Sequence, residues 1–327
     1  SLAAVVVSII NLKGGVGKST LAMILGEFLA FRYAKNVLMI DMDAQANLSY
    51  CMVPGLQIQT QEREHRTTYD LFHHALQGQD LDIRTFITQP PLVVSNVARF
   101  AMRHHGTDIH MVVSTPSVAQ LDEELLQLWE EKRPMPQGIR QTLVETLTPA
   151  LEQYDYVLID CPPGLSLFSS AALMASDYYV SPIIPEPLPL QGVELVGRRV
   201  SQLKERYGAR VEFKGVVLNM VMHYRNTHRR VSEDLYTAQR QTYLPFHYWV
   251  PDNERLRKLG AFNPDLGGEW AMGEDHKFPD VSNKYNQAHP LRNPQAGLLS
   301  RRDEEGPTYR LLDRLVRLVE EFQERCS

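Results

Sequence analysis

The chain is poor in cysteine, with three in 327 residues. Cys51, Cys161 and Cys326 are too few for the disulfide framework of a small secreted scaffold, and they fit a reducing compartment. Long apolar runs are also missing. A membrane-spanning helix needs about 18 or more consecutive apolar residues, and the longest candidate, Leu2 to Ile10, falls far short. That run has neither a basic flank nor a small-residue cleavage site, so it is not expected to act as a signal peptide. There is no excess of positive charge: 34 Lys and Arg stand against 39 Asp and Glu, a net charge of −5. This excludes a uniformly basic, histone-like binder and leaves room for a local basic patch. No internal repeat of solenoid length recurs.

Hydrophobic residues make up 43% and charged residues 22% of the chain, the proportions of a globular protein. Ala4 to Ile10 is a β-branched run that reads as a buried strand. Lys13-Gly14-Gly15-Val16-Gly17-Lys18-Ser19 follows at once. Thr20 to Tyr33 reads as a helix with Leu21, Ile24, Leu25, Phe28 and Leu29 on one face. Val37 to Ile40 is a second strand, ending at Asp41-Met42-Asp43. Strand, helix and strand in that order make a βαβ unit and hence a parallel sheet.

The pattern continues with strands at 109–113, 156–159, 178–184 and 211–218. Helices are expected at 118–131, 139–154, 167–175, 190–207 and 227–239. The expected fold class is therefore α/β, a doubly wound, mostly parallel sheet with helices on both faces. Residues 263–306 lose periodicity and read as a loop-rich insert. A closing helix carries Leu311, Leu312, Leu315, Leu318, Val319 and Phe322 at helical spacing. Residues 1–327 are read as a single domain.

Gly14, Gly15 and Gly17 lie between a strand and a helix. Without Cβ atoms the backbone approaches a phosphate closely and turns its N–H groups toward it, beside the positive end of the helix dipole. Lys18 then reaches the phosphates and the Ser19 hydroxyl suits a metal ion. Asp155 to Asp160 is an apolar strand ending in a carboxylate, the geometry of a Walker B metal residue. Asp43 also falls at a strand end, where it fits either a ligand site or a helix cap. Cys161 follows Asp160 with no histidine tied to it and reads as packing.

The loop departs from the standard P-loop: Leu12 stands where the first glycine would fall, and a second lysine, Lys13, precedes the glycines. In this respect the sequence resembles the deviant Walker A P-loop ATPases, the ParA/MinD/Soj group, with ParA/Soj partition ATPases the nearer match. Asp41-Met42-Asp43-Ala44-Gln45 and Asp160-Cys161-Pro162-Pro163-Gly164 are similar to that family's two switch motifs. The resemblance is good over 4–47 and 154–259, weak over 50–112 and absent from about 263 to 306.

The resemblance implies ATP and Mg²⁺ as cofactors. Gly14, Gly15, Val16, Gly17, Lys18, Ser19 and Thr20 would cradle the phosphates, and Asn219 and Pro251 would lie at the base. Ser19, Asp43 and Asp160 would attend the metal. Lys18 and Asp43 would act in hydrolysis, and Lys13 would reach across a homodimer to the partner's nucleotide. It further implies nonspecific DNA binding through Arg225, Arg229 and Arg255, an adaptor of ParB type that stimulates a slow basal ATPase, and a cytoplasmic, nucleoid-associated protein that positions a plasmid, chromosome or protein cluster.

The same arginines, with His228 and Arg230 beside them, also fit a solvated helix face. A MinD-like membrane switch would need a basic amphipathic C-terminal helix. Here Arg310, Arg314, Arg317 and Arg325 are balanced by Asp313, Glu320, Glu321 and Glu324, so packing against the sheet is expected and stable membrane association is not. Small-molecule ATP enzymes use the same fold, but Lys13 and the switch motifs argue against one. Iron proteins of this fold need paired cysteines that this chain does not offer.

Overall fold

The computed structural model describes residues 3–88, 109–130, 138–186, 190–222, 224–252, 256 and 307–327. The insert expected at 263–306 and Arg255 lie outside the described residues. Six strands form one parallel sheet: β1 (Val5–Ile9), β2 (Val37–Asp41), β3 (Ile109–Val112), β4 (Tyr156–Asp160), β5 (Tyr178–Ile183) and β6 (Glu212–Leu218). Their spatial order is β3-β2-β4-β1-β5-β6. The P-loop strand β1 is thus central, and register sets Val7 opposite Leu158 on one side and Tyr178 on the other.

Strand alternation explains the two helical layers. Val7 and Ile9 face one core with α1 (Lys18–Tyr33), where Leu21, Ile24, Leu25, Phe28 and Leu29 are all buried as the spacing predicts. Val6 and Ile10 face the opposite core, with residues of α4 (Thr68–Leu76), α6 (Thr142–Leu147), α7 (Leu167–Ala175) and α8 (Gln191–Tyr207). This is the doubly wound arrangement expected from the sequence. The last helix, α11 (Pro307–Arg325), packs on the α1 side, with Leu315, Leu318, Val319 and Phe322 in the core. Each such side chain contributes about 1.5–3 kcal/mol by burial.

Two local readings change. The helix expected over 139–154 is a 3₁₀ turn (Ile139–Gln141), then α6, then a second 3₁₀ segment (Thr148–Gln153). Pro149 has no N–H to continue an α-helix, and the Thr146 hydroxyl donates back to the Thr142 carbonyl at 2.6 Å. Between β2 and β3, α2 (Asn47–Met52), α3 (Gly55–Arg63) and α4 appear where the sequence pattern is weak. The last of these begins at a capping box, in which Thr67 accepts from the Asp70 amide and Asp70 answers the Thr67 amide. α5 (Gln120–Glu130) follows β3, and α9 (Asn226–Tyr236) and α10 (Arg240–Tyr243) follow β6.

Candidate nucleotide-binding site

In an open parallel sheet, ligands sit beyond the carboxyl ends of the strands. Here those ends supply the P-loop after β1, Asp43 after β2, Asp160 on β4, Glu186 after β5 and Asn219 after β6. A cavity of about 360 Å³ opens there, lined by Gly14, Gly15, Gly17, Lys18, Ser19, Thr20, Asp43 and Gln45, with Met220 and Cys51 on its apolar side. Of the residues named from the sequence for the phosphate loop, all but the buried Val16 line this cavity.

The N-terminus of α1 is left free for an anion. No side chain caps it, and its first turn carries no acidic residue. Its orphan N–H groups and dipole favour negative charge. Gly17, the residue before the helix, has φ 81°, and a Cβ there would meet the Asn219 amide nitrogen at 2.0 Å. Glycine is required on both counts.

Lys18 is buried, and its Nζ donates to the Lys13 carbonyl at 3.3 Å. Lys13 is its opposite. Its side chain is 59% exposed and forms an ion pair with Glu186 at 2.8 Å. That ammonium holds the Glu186 carboxyl below the usual range. The Lys13 amide donates to the Asn11 side chain, which in turn donates to the Pro182 carbonyl at 2.9 Å. Gly192 of α8 approaches Asn11 so closely that a Cβ would lie 2.4 Å from its oxygen.

Asp160 is fully buried, and neither carboxylate oxygen has a hydrogen-bond partner among the described residues. Burial first, and then the neighbouring Asp41, push its pKa well above the usual carboxylate range, while Ser19 and Lys18 oppose the shift. Asp41 lies opposite it across the β2–β4 pairing. Burial pushes Asp41 up to about 6, although it accepts from the Ser49 amide at 2.9 Å and the Ser49 hydroxyl at 2.7 Å. An unpaired buried carboxylate beside a P-loop hydroxyl fits a hard divalent cation. Asp43 lines the cavity, where its side chain accepts from the Gln45 amide at 3.0 Å.

Asn219 was expected at the base. Its amide braces the loop, donating to the Val16 carbonyl at 2.9 Å and the Gly17 carbonyl at 3.2 Å and accepting from the Met220 amide. Met220 takes the cavity wall. Pro251 is held close by its pairing with Val221. Cys161 is buried and its thiol pushed up to about 12 by burial, which suits packing.

Arg225 and Arg229 are exposed at the start of α9, and Arg229 lies 3.9 Å from Glu233. His228 does not join them. It is buried, accepts from the Met222 amide at 3.1 Å, and is held below its ordinary pKa by burial and then by Arg225. The sequence did not single out Asn11, Ser49 or Glu186. Only the capping and turn residues nearby carried any local signal.

The AAA domain family matches residues 4–213. A chromosome partitioning protein ParA of Caulobacter vibrioides is 31% identical over 231 residues, covering 70% of this chain and 74% of that protein. The chain belongs to the ParA/Soj-type deviant Walker A P-loop ATPases. An uncharacterised protein of Mycobacterium tuberculosis is 31% identical over 213 residues, 65% of this chain, and the match spans 57% of that protein's length. Among solved structures, a plasmid partition protein of Borrelia burgdorferi bound to AMPPNP superposes with a TM-score of 0.59 at 21% identity, covering 85% of this chain and 96% of that one. A cobyrinic acid a,c-diamide synthase of Mycobacterium smegmatis, with a bound ATP analog and magnesium, gives 0.60 at 19% identity, covering 84% and 98%. Both share the fold of this family member.

Proposed function

We propose that the protein is a ParA-like ATPase. It binds ATP with Mg²⁺ in the cavity at the P-loop, dimerises around the nucleotide, and then binds DNA nonspecifically to position or segregate a cargo. The observation that carries this reading is the contrast between the two lysines. Lys18 is buried and donates back to the loop, whereas Lys13 extends outward from the same loop to Glu186.

On this reading the amides of Gly14 to Thr20 hold the phosphates and Lys18 adds a point charge. Ser19 and Asp160 would hold Mg²⁺, with Asp43 close by. The ion supplies charge neutralisation on the phosphates. Asp43 orients the attacking water. Met220 and Pro251, beside Asn219, form the base side. Lys13 leaves Glu186 to meet the partner's phosphates. Arg225 and Arg229, with Arg255, neutralise DNA phosphates, and an adaptor of ParB type accelerates a slow basal turnover. Such a protein works in the cytoplasm on the nucleoid.

The membrane-switch reading is disfavoured, because the apolar face of α11 is already spent in the core. Among the described residues no helix is long and apolar enough to cross a membrane. Lys13→Ala tests the proposal. It should leave monomeric ATP binding within about twofold, since an exposed pair contributes little, and abolish ATP-dependent dimerisation in sedimentation velocity. An unchanged dimer in that variant sinks the trans role.

A further inference from the structure

The polar side of the C-terminal helix does something that packing against the sheet does not require. Glu321 is buried, with its side chain 8% exposed. A buried carboxylate is costly unless it is well partnered. Glu321 is partnered by the loop that follows α10. Both of its oxygens accept from the His247 amide, at 3.0 and 2.9 Å, and it also accepts from the Tyr248 amide at 3.3 Å. One turn later Arg325 donates to Glu321 at 2.7 Å and to the carbonyls of Lys214, Leu244 and Pro245. Arg325 also lies 4.1 Å from the Phe246 ring centroid, and Arg314 lies 3.9 Å from that of Trp249. α11 thus grips residues 244–249 from one side.

What lies beyond the grip is the nucleotide site. The Val250 amide donates to the Leu218 carbonyl, the Val221 amide to the Val250 carbonyl and the Asp252 amide to the Val221 carbonyl. These bonds flank Asn219 and Met220, which brace the P-loop and line the cavity. A shift of the loop at His247 therefore reaches the cavity wall through bonded neighbours. The phosphate end is less dependent on it, because Asn11 and the N-terminus of α1 also shape the P-loop.

We infer that α11 belongs to the nucleotide site, with Glu321 a positioning residue that sets the base-side wall for a purine nucleotide through loop 246–252. The inference rests on the ATP reading above, and the two fail differently. In calorimetric titrations on the full chain, Glu321→Gln should weaken ATP binding by about tenfold, the scale of one lost bond to a charged group. Inorganic tripolyphosphate, which has no base, should change by less than about twofold. A helix that only supports the fold would weaken both ligands equally, and that result overturns the inference, as does unchanged ATP binding. Intact protein that binds tripolyphosphate no more weakly than ATP also overturns it, because the wall then reads no base. Intact protein that binds neither ligand defeats the ATP reading itself. A second measurement leaves Glu321 in place. With Trp129 and Trp270 changed to Phe, Trp249 emission should respond to ATP and not to tripolyphosphate. Equal responses, or none to ATP, overturn the inference even if the Glu321 variant does not fold.

Discussion

Gly17→Ala should damage the P-loop through one identifiable partner. Its φ of 81° places an alanine in the left-handed region, at a cost of about 1 kcal/mol. The new Cβ would sit 2.0 Å from the Asn219 amide nitrogen, so that side chain must move. Moving it breaks its bonds to the Val16 and Gly17 carbonyls, worth about 2 kcal/mol together. The single change should therefore cost about 3 kcal/mol of stability. Asn219→Ala alone should cost about 3 kcal/mol, because it removes the same two bonds and the one accepted from the Met220 amide. With the amide gone, Gly17→Ala has only its backbone term left. The double variant should then lose about 4 kcal/mol rather than about 6, a coupling of about 2 kcal/mol. Urea unfolding of the four proteins measures this directly. Additive losses would refute the claim that Asn219 is what Gly17 must avoid.

Asp43→Ala should retain ATP binding and dimerisation while phosphate release falls to background, and rapid release would remove Asp43 from water positioning. Arg225→Glu with Arg229→Glu should abolish DNA binding in gel shifts on unrelated duplexes yet spare basal ATPase; in the intact protein the binding should weaken steeply with salt, by a log–log slope of roughly 0.9 per phosphate contacted. Retained DNA binding in the double variant would place the interface elsewhere. His228 is held below its ordinary pKa in the fold, so the unfolded chain takes up a proton first as pH falls below about 6.5. The contribution of His228 to stability is lost over that range, opposed by proton uptake at Asp41. The shift in urea midpoint between pH 7.5 and 5.5 should therefore be less unfavourable in His228→Phe than in the intact protein (roughly the window of the unfolded imidazole). Equal shifts in the two proteins would mean His228 is not the sensor.

The parallel sheet was legible because its strands are short, largely apolar runs separated by helical patterns. The phosphate loop was legible for the same local reason: Lys13 to Ser19 is contiguous, and a backbone cradle needs glycines at fixed offsets. The failures were of two kinds. Residues 47–76 form three short helices, too brief for helical periodicity to show, and only the Thr67–Asp70 box marked a start. His228 was grouped with its arginine neighbours because adjacency in sequence says nothing about which face of α9 turns inward. Its burial against the Met222 amide is a tertiary fact.

The groups that tune the site come from far along the chain, and this decides what a motif can reveal. Glu186 pairs with Lys13 from 173 residues away, and Asn219 reaches Val16 across 203. Neither has a spacing rule, since the intervening strands and helices set the approach. Lys13 and Lys18 are five residues apart, yet one is a buried donor to the loop and the other an exposed ion-pair partner. The motif fixes the backbone path and so the direction each lysine leaves it. Lys18 meets the loop's own Lys13 carbonyl, whereas what Lys13 meets is set by the segment after β5 that carries Glu186. A lysine already neutralised by Glu186 costs little to leave exposed, and the pair is worth under about 1 kcal/mol at such exposure. On the proposed reading a phosphate from a second protomer would outcompete so weak a pair, and Lys13→Ala is the variant that tests it.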